Sequence, residues 1–127
     1  MDDEGWPGDW LRGVLGVCVL RVLAEGPTYG YAIGARLAAA GLGTPKGGTL
    51  YPLLTRFEQA GWVEVEWRAG EGGPGRKYYA LTPAGHAHLD AQAARWARFA
   101  HLTTALVHPD PTAAVGDGVS PTNGAPA

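Results

Sequence analysis

Hydrophobic residues in the first quarter of the chain follow a helical pattern, and the pattern covers most sides of the helix. Apolar residues recur at helical spacing over residues 10–24, and Val17, Val19 and Leu20 add a second apolar side. Asp9 is a suitable N-cap and Gly26-Pro27 a stop signal. A helix that is apolar on most sides is buried on most sides. We therefore expect a core helix over residues 10–24 that also needs a second subunit to cover it.

Two shorter helices follow, separated by a glycine-rich turn. The first is predicted over residues 29–40, with Thr28 as its N-cap and Ile33 and Leu37 facing inward. The second is predicted over residues 49–60, with Pro52 in its first turn and Gly61 after its end. Its apolar positions follow the i, i+3, i+4, i+7 pattern: Leu50, Leu53, Leu54 and Phe57.

After Gly61 the apolar period changes from helical to two. Val63, Val65 and Trp67 alternate with charged residues, which predicts a half-buried strand, and residues 76–81 predict the strand that returns. Residues 69–75 contain four glycines and one proline, so we expect a long loop with a mobile tip between the strands.

A long helix is predicted over residues 83–107. It begins with Thr82-Pro83, an N-cap followed by proline at the first helical position. One stripe has the spacing of a seam between packed helices: Leu89, Ala93, Trp96, Ala100, Thr103 and Val107. At about 1.5 Å per residue the helix would be roughly 35 Å long, too long for so small a domain to cover. A partner subunit is again implied.

These elements predict a mainly α fold with a two-stranded β-hairpin. The order of elements is that of a winged helix-turn-helix followed by a long C-terminal dimerisation helix. We assign residues 1–8 to a flexible N-terminal arm, residues 9–82 to the winged helix-turn-helix, residues 83–107 to the dimerisation helix, and residues 108–127 to a disordered tail rich in Pro, Gly and Ala.

The distribution of charge along the chain is more informative than the net charge. The 127 residues carry a net charge of −2, which is unusual for a nucleic-acid-binding protein. Residues 28–82, however, hold six Lys or Arg and four Glu, a local net charge of +2. The acidic excess lies near the start, in Asp2, Asp3, Glu4 and Asp9.

Other chemistries find little support in the sequence. Cys18 is the only cysteine, lies in an apolar segment, and fits a reducing, cytoplasmic setting. The four histidines lack metal-ligand spacing, no activated nucleophile is apparent, and the acidic N-terminus is not that of a signal peptide. We expect no catalytic activity, no metal, no cofactor and no membrane span.

The third predicted helix carries the candidate DNA-reading face. Opposite its apolar stripe lie Thr49, Pro52, Thr55 and Arg56, with Tyr51 beside them. Small residues permit close approach, and hydroxyl and guanidinium groups can contact bases or phosphates.

Backbone and side-chain donors flank this face. Gly47 and Gly48 would leave N–H groups free for a phosphate at the helix N-terminus, and Lys46 adds a cation. On the predicted wing, Arg76 and Lys77 would contact phosphates or the minor groove, with Arg68 on the facing strand.

A combination of motifs resembles the PadR-like family of transcriptional regulators. The matching runs are residues 30–33 (Gly-Tyr-Ala-Ile), 48–54 (Gly-Thr-Leu-Tyr-Pro-Leu-Leu), 75–79 (Gly-Arg-Lys-Tyr-Tyr) and 81–85 (Leu-Thr-Pro-Ala-Gly). The resemblance implies a dimeric, usually repressing regulator. It also implies DNA contacts from Lys46, Thr49, Tyr51, Arg76 and Lys77, with Tyr29 and Tyr31 nearby.

The single C-terminal helix is similar to the short-tailed, drug-sensing members of that family. There a tryptophan at the position of Trp96 and its symmetry mate hold flat ligands. The candidate effector-binding residues are Trp10, Val14, Ala93, Trp96, Phe99 and Ala100. Because Ala93 and Ala100 replace an aromatic and an acidic residue of the drug sensors, a neutral aromatic effector fits better than a cationic one.

The sequence therefore predicts a homodimeric repressor that binds a pseudo-palindromic operator in double-stranded DNA, with release by a small aromatic effector as an option. Two alternatives stay open. One is a winged-helix module that binds protein, and the other is a small-molecule-binding protein that uses the aromatic dimer interface.

Overall fold

The computed structural model describes residues 5–70 and 73–112. Within these ranges the elements, in chain order, are α1 (Gly8–Ala24), β1 (Thr28–Tyr29), α2 (Gly30–Ala39), α3 (Gly47–Gln59), β2 (Val63–Gly70), β3 (Gly73–Leu81) and α4 (Pro83–Val107). The predicted winged helix-turn-helix is confirmed, and the last helix has the predicted bounds.

The sheet has three strands in the described residues, one more than the predicted hairpin. The strand order is β1-β3-β2, and both pairings are antiparallel. Thr28 and Tyr29 pair with Tyr79 and Tyr78, so Thr28 is a strand residue. The prediction that Thr28 caps α2 is wrong: α2 begins at Gly30, and the extended residue before it, Tyr29, makes no side-chain cap.

The wing strands are longer than the sequence indicates. The pairing of β2 with β3 runs from Val63 opposite Leu81 out to Gly70 opposite Gly73, with an irregularity after Arg68. The prediction of a loop is therefore wrong for residues 69–70 and 73–75, which belong to the strands. Residues 71–72, at the predicted mobile tip, lie outside the described residues. Glycine here permits close strand approach, since a Cβ on Gly75 would lie 3.1 Å from the carbonyl oxygen of Arg68.

The start of α1 differs from the prediction. The helix begins at Gly8, and the N–H groups of Trp10 and Leu11 donate to the carbonyl of Pro7, so Asp9 lies in the first turn and is not the N-cap. Asp9 instead forms an ion pair with Arg12 one turn later.

Only part of the predicted N-terminal arm can be compared with the structure, because residues 1–4 lie outside the described residues. In the part that is described, the Trp6 indole N–H donates to the carbonyl of Gly41, 2.8 Å away, and its ring stacks on Trp10. Residues 113–127 of the predicted tail also lie outside the described residues.

The ends of α3 follow local backbone rules. The helix starts at Gly47 and not at Thr49, which places Pro52 in its second turn and leaves the Gly48 carbonyl without its usual N–H donor. At the other end Gly61 has a φ of +83°. The N–H groups of Gly61 and Trp62 close a Schellman motif on Glu58 and Phe57, and the rings of Phe57 and Trp62 make its apolar contact.

The core joins the second half of α1 to α2, α3 and the wing base. Its most deeply buried side chains are Val19, Leu20, Leu23, Ile33, Leu37 and Leu54. The first half of α1 is different: Trp10 is exposed, and Leu11, Val14 and Leu15 are only half-buried. Within this chain, α1 is thus buried along its second half only.

The root of α4 is attached to the corner between α3 and β2. The Thr82 N–H donates to the carbonyl of Trp62, and its hydroxyl donates to the carbonyl of Gly61 while accepting the N–H of Gly85. The His88 ring stacks on Trp62 at a centroid distance of 3.6 Å. Thr82 is therefore the predicted N-cap and also the link between α3 and α4.

The described residues divide into two compact units, one that ends at Gln92 and one that begins at Ala93. The first contains the winged helix-turn-helix and the start of α4. In the second, residues 93–107 are helical, and the N–H of His108 adds a further bond to the carbonyl of Thr104.

We predict that Gly85→Ala destabilises the protein by about 1–3 kcal/mol, the usual cost of overpacking. A Cβ at Gly85 would fall on the carbonyl oxygen of Trp62, and a backbone atom cannot move aside. Thermal and urea unfolding followed by circular dichroism measure the change. Gly48→Ala is the matched control, because no heavy atom lies within 4 Å of its Cβ. Equal stability of the two variants would contradict the prediction.

Candidate nucleic-acid interface

Helix α3 separates its apolar and polar residues onto opposite sides. Leu50, Leu53, Leu54 and Phe57 are between 0 and 8% exposed and pack into the core. The predicted reading face is solvent-exposed throughout: Thr49, Tyr51, Pro52, Thr55 and Arg56. The structure therefore brings these five residues together on one accessible helix face.

The N-terminus of α3 adds backbone donors to this face. The carbonyl of Lys46 accepts the N–H groups of Thr49 and Leu50, both at 2.9 Å. The N–H groups of Gly47 and Gly48 precede the first residue that can bond within the helix, as in anion-binding helix ends. Gly48 is exposed, and a Cβ there would meet no heavy atom within 4 Å, so this end of the helix is open to the approach of a phosphate.

Tyr51 connects this face to the start of α2. Its side chain is 47% exposed, and its ring lies over Gly30, where an added Cβ would fall on the phenol oxygen. The other two predicted tyrosines differ in exposure, since Tyr31 on α2 is 80% exposed and Tyr29 is half-buried. Glycine at position 30 thus allows Tyr51 to lie against the beginning of α2.

The two cations of β3, Arg76 and Lys77, lie on opposite faces of the hairpin. Adjacent residues of a strand point to opposite sides, and the aromatic contacts agree. The Arg76 guanidinium lies 4.5 Å from the centroid of the Tyr29 ring, and the Lys77 ammonium 5.7 Å from that of Tyr79. The sequence places these cations side by side, whereas the strand separates them.

Two residues near the wing tip extend its surface. Arg68 pairs with Arg76 across the strands, lies 4.3 Å from the centroid of the Tyr78 ring, and forms an ion pair with Glu66 at 3.5 Å. Trp67, opposite Lys77, is 69% exposed. The alternating pattern places Trp67 on the buried side of a half-buried strand. That expectation is wrong for Trp67, because the sheet extends beyond the core at that point.

One cation of residues 28–82 is neutralised by a partner outside that segment. The Nε and Nη2 of Arg36 each donate to the carboxylate of Glu25 at 3.0 Å. This pairing lowers the pKa of Glu25 below its ordinary value through the hydrogen bond and the charge of Arg36. Arg36 therefore contributes little to the field at the exposed face of α3.

A cavity of about 560 Å³ lies between α1 and the turn that joins α2 to α3. Its lining includes Leu11, Leu15, Cys18 and Leu42, and it reaches Lys46 and Thr49 at the edge of the reading face. Burial raises the pKa of the Cys18 thiol. Cys18 is thus a protonated apolar lining residue at neutral pH.

The predicted effector residues belong to both units of the chain. In the first unit Trp10 is 63% exposed and Val14 is half-buried. In the second unit Ala93 is exposed, Trp96 is 41% and Phe99 64% exposed, and Ala100 is half-buried. Leu102, Leu106 and Val107 are between 51 and 81% exposed, so helix residues 93–107 carry a large uncovered apolar surface.

The described ranges contain neither a metal-binding cluster nor a membrane-spanning helix. No three His, Cys, Asp or Glu side chains in residues 5–70 and 73–112 are grouped as metal ligands. No helix in the same ranges is long and apolar enough to cross a membrane.

Together, the buried and exposed sides of α3, its open N-terminus and the adjoining wing define a winged helix-turn-helix DNA-binding protein. Comparison with known proteins specifies the family. Residues 19–91, more than half of the chain, match the model of the family described as "Transcriptional regulator PadR-like family". The chain belongs to this family, whose members are DNA-binding transcriptional regulators and not enzymes.

Individual relatives agree with this assignment. The chain is 32% identical over 91 residues to an uncharacterized protein of Lysinibacillus sphaericus, covering 70% of this chain and 84% of the relative. It is similar to the crystal structure of a PadR family transcriptional regulator from Eggerthella lenta, with 36% identity, a TM-score of 0.70 and coverage of 80% and 88%. A PadR-like transcriptional regulator from Bacillus cereus has 29% identity and a TM-score of 0.71, with coverage of 81% and 100%.

Proposed function

We propose that this regulator is a cytoplasmic, homodimeric repressor that binds a pseudo-palindromic operator. In each subunit α3 enters the major groove, while the wing and Lys46 contact the phosphate backbone. The observation that carries the proposal is the two-sided character of α3, whose apolar side is buried and whose Thr, Tyr and Arg side is exposed to solvent.

The residues of the reading face divide into two groups by chemistry. Thr49, Thr55 and Arg56 can contact base edges, because their hydroxyl and guanidinium groups match the donors and acceptors of the major groove. Lys46, the Gly48 N–H, Arg76 and Lys77 suit phosphates, which set the register without reading sequence. Pro52 has a small side chain that permits close approach of DNA beside Tyr51. Tyr31 extends the reading face from α2.

The dimer is supported by the uncovered apolar surface of α4. Exposed apolar patches of this kind mark interaction sites in soluble proteins, and Phe99, Leu102 and Leu106 form a continuous stripe with Trp96. A two-fold axis through this contact would repeat the recognition helix. On DNA the two helices would occupy successive major grooves about 34 Å apart.

An effector would bind between the two copies of α4. The flat indole of Trp96 and its symmetry mate would stack on an aromatic ligand, beside Ala93, Phe99 and Ala100, and Trp10 and Val14 complete the proposed set. Ala93 and Ala100 provide space and no charge, which favours a neutral aromatic effector. Because ligand and DNA would prefer different separations of the recognition helices, each would weaken the binding of the other.

The proposed function is tested by incubating the purified protein with sheared genomic DNA and sequencing the retained fragments. We expect enrichment of one motif with two-fold symmetry, with half-sites about one helical turn apart. Retention of fragments no different from the input would contradict sequence-specific binding. An enriched motif without two-fold symmetry would contradict the dimeric mode.

The wing contacts predict a change in salt dependence. We expect Arg76→Ala and Lys77→Ala each to weaken binding to all DNA sequences and to reduce the slope of log affinity against log salt by about 1. Fluorescence anisotropy across a salt series measures both quantities. Arg98→Ala removes a cation from α4 and is the matched control. An unchanged slope in both wing variants would exclude the wing from the interface.

The dimer contact predicts that Phe99→Glu yields monomers. A charge placed in the apolar stripe would have to be buried without a partner, which is strongly unfavourable. Ala94→Glu adds the same charge on the opposite side of α4 and should remain dimeric. Sedimentation equilibrium at several concentrations distinguishes the two states. A dimeric Phe99→Glu variant would show that the stripe does not form the subunit contact.

A further inference from the structure

We infer that Tyr29 is a positioning residue, which holds the guanidinium of Arg76 in place for a DNA phosphate and does not itself contact DNA. The inference rests on the proposed function, since it assumes that the wing contacts the phosphate backbone. It changes the role that the sequence suggests for Tyr29 and connects the wing to the helix-turn-helix.

The first observation is the geometry around the Tyr29 ring. The ring packs against Tyr78 at a centroid distance of 5.3 Å and an interplanar angle of 53°, as expected for residues opposite each other in the β1 and β3 pairing. The Arg76 guanidinium carbon lies 4.5 Å from the Tyr29 centroid. Tyr29 is half-buried, so its ring is held by the sheet and supports an exposed cation.

The second observation is that the N–H groups of Arg76 are not engaged by a described carboxylate. A cation–π contact leaves the guanidinium its full charge, and hydrogen bonds to a phosphate use its N–H groups. Among the described residues no carboxylate lies within ion-pair distance of Arg76, so none of them competes with a phosphate for its N–H groups. Arg36 is the opposite case, because Glu25 occupies two of its N–H groups.

The third observation is the position of Tyr29 in the chain. It immediately precedes α2, and Gly30, the first residue of α2, contacts the Tyr51 ring of α3. Arg76 is thereby placed relative to the recognition helix by consecutive residues of one segment. A long exposed side chain that is already oriented loses less conformational freedom on binding.

A double-mutant cycle tests the inference. The probe is a fluorescein-labelled DNA duplex of about 30 base pairs and arbitrary sequence, because phosphate contacts do not depend on sequence. We expect Arg76→Ala to weaken binding about three- to tenfold at low salt. Tyr29→Leu should weaken it about two- to fivefold, and Tyr29→Phe, which keeps the ring, should bind as the parent protein does. In the Arg76→Ala background Tyr29→Leu should have no further effect.

Lys77 supplies the matched control for this cycle. It lies on the opposite face of β3, over Tyr79, so Tyr29→Leu should keep its full effect in the Lys77→Ala background. Circular dichroism and thermal unfolding compare the folding of all variants. Since Tyr29→Leu is present in each double variant, a general loss of folded protein would weaken binding equally in both backgrounds.

The results that overturn the inference are distinct from those that overturn the proposed function. If Tyr29→Leu weakens binding equally with and without Arg76, or if Tyr29→Phe also weakens it, Tyr29 does not act through Arg76 while the wing contact stands. If Arg76→Ala leaves binding unchanged, the proposed contact between Arg76 and a phosphate fails and the inference fails with it.

Discussion

Thr82 joins three elements at one corner, and the arrangement of the molecule depends on that junction. Its N–H bonds to the carbonyl of Trp62, its hydroxyl bonds to the carbonyl of Gly61, and the same hydroxyl caps α4 through the N–H of Gly85. The end of α3, the base of the wing and the start of α4 are thereby held at one point. Gly85 is part of this constraint, because any larger residue would collide with the Trp62 carbonyl.

This junction has consequences for regulation in the proposed dimer. In such a dimer, a helix that forms the subunit contact can affect the position of the recognition helix only if its first turn is firmly attached to the helix-turn-helix. Here two backbone-directed hydrogen bonds and the stacking of His88 on Trp62 attach the root of α4 beside the Schellman motif that ends α3. The first turns of α4 are therefore fixed to the end of α3, and an effector response of the kind proposed would depend on this attachment.

A net charge of −2 is compatible with membership of a DNA-binding family. The relevant quantity is the number of cations whose N–H groups remain available at the interface, and not the total charge. Arg36 is paired edge-on with Glu25, whereas Arg76 and Lys77 lie over aromatic rings. Tyrosine rings of β1 and β3 thus support these cations without neutralising them.

Much of the fold and of the candidate site was predictable because it depends on local rules. The stripe of Leu50, Leu53, Leu54 and Phe57 determined both the core side of α3 and, by exclusion, its accessible side. Gly61 and the Thr82-Pro83 pair marked a helix end and a helix start through backbone constraints that act within a few residues. The motifs that resemble the PadR-like family were recognisable in the sequence for the same reason.

What only the tertiary structure decided involves partners that are distant in the chain. Thr28 has the chemistry of a helix cap, but pairing with Tyr79 makes it a strand residue. Residues 69–70 and 73–75 have the composition of a loop, yet cross-strand hydrogen bonds extend the wing through them. Adjacent in sequence, Arg76 and Lys77 are separated by the pleat of β3, and the ring beneath Arg76 comes from Tyr29. Local sequence determined which segments are helices and which side of α3 is accessible. Long-range pairing determined the third strand, the length of the wing and the direction of its cations, because these depend on contacts between residues far apart in the chain.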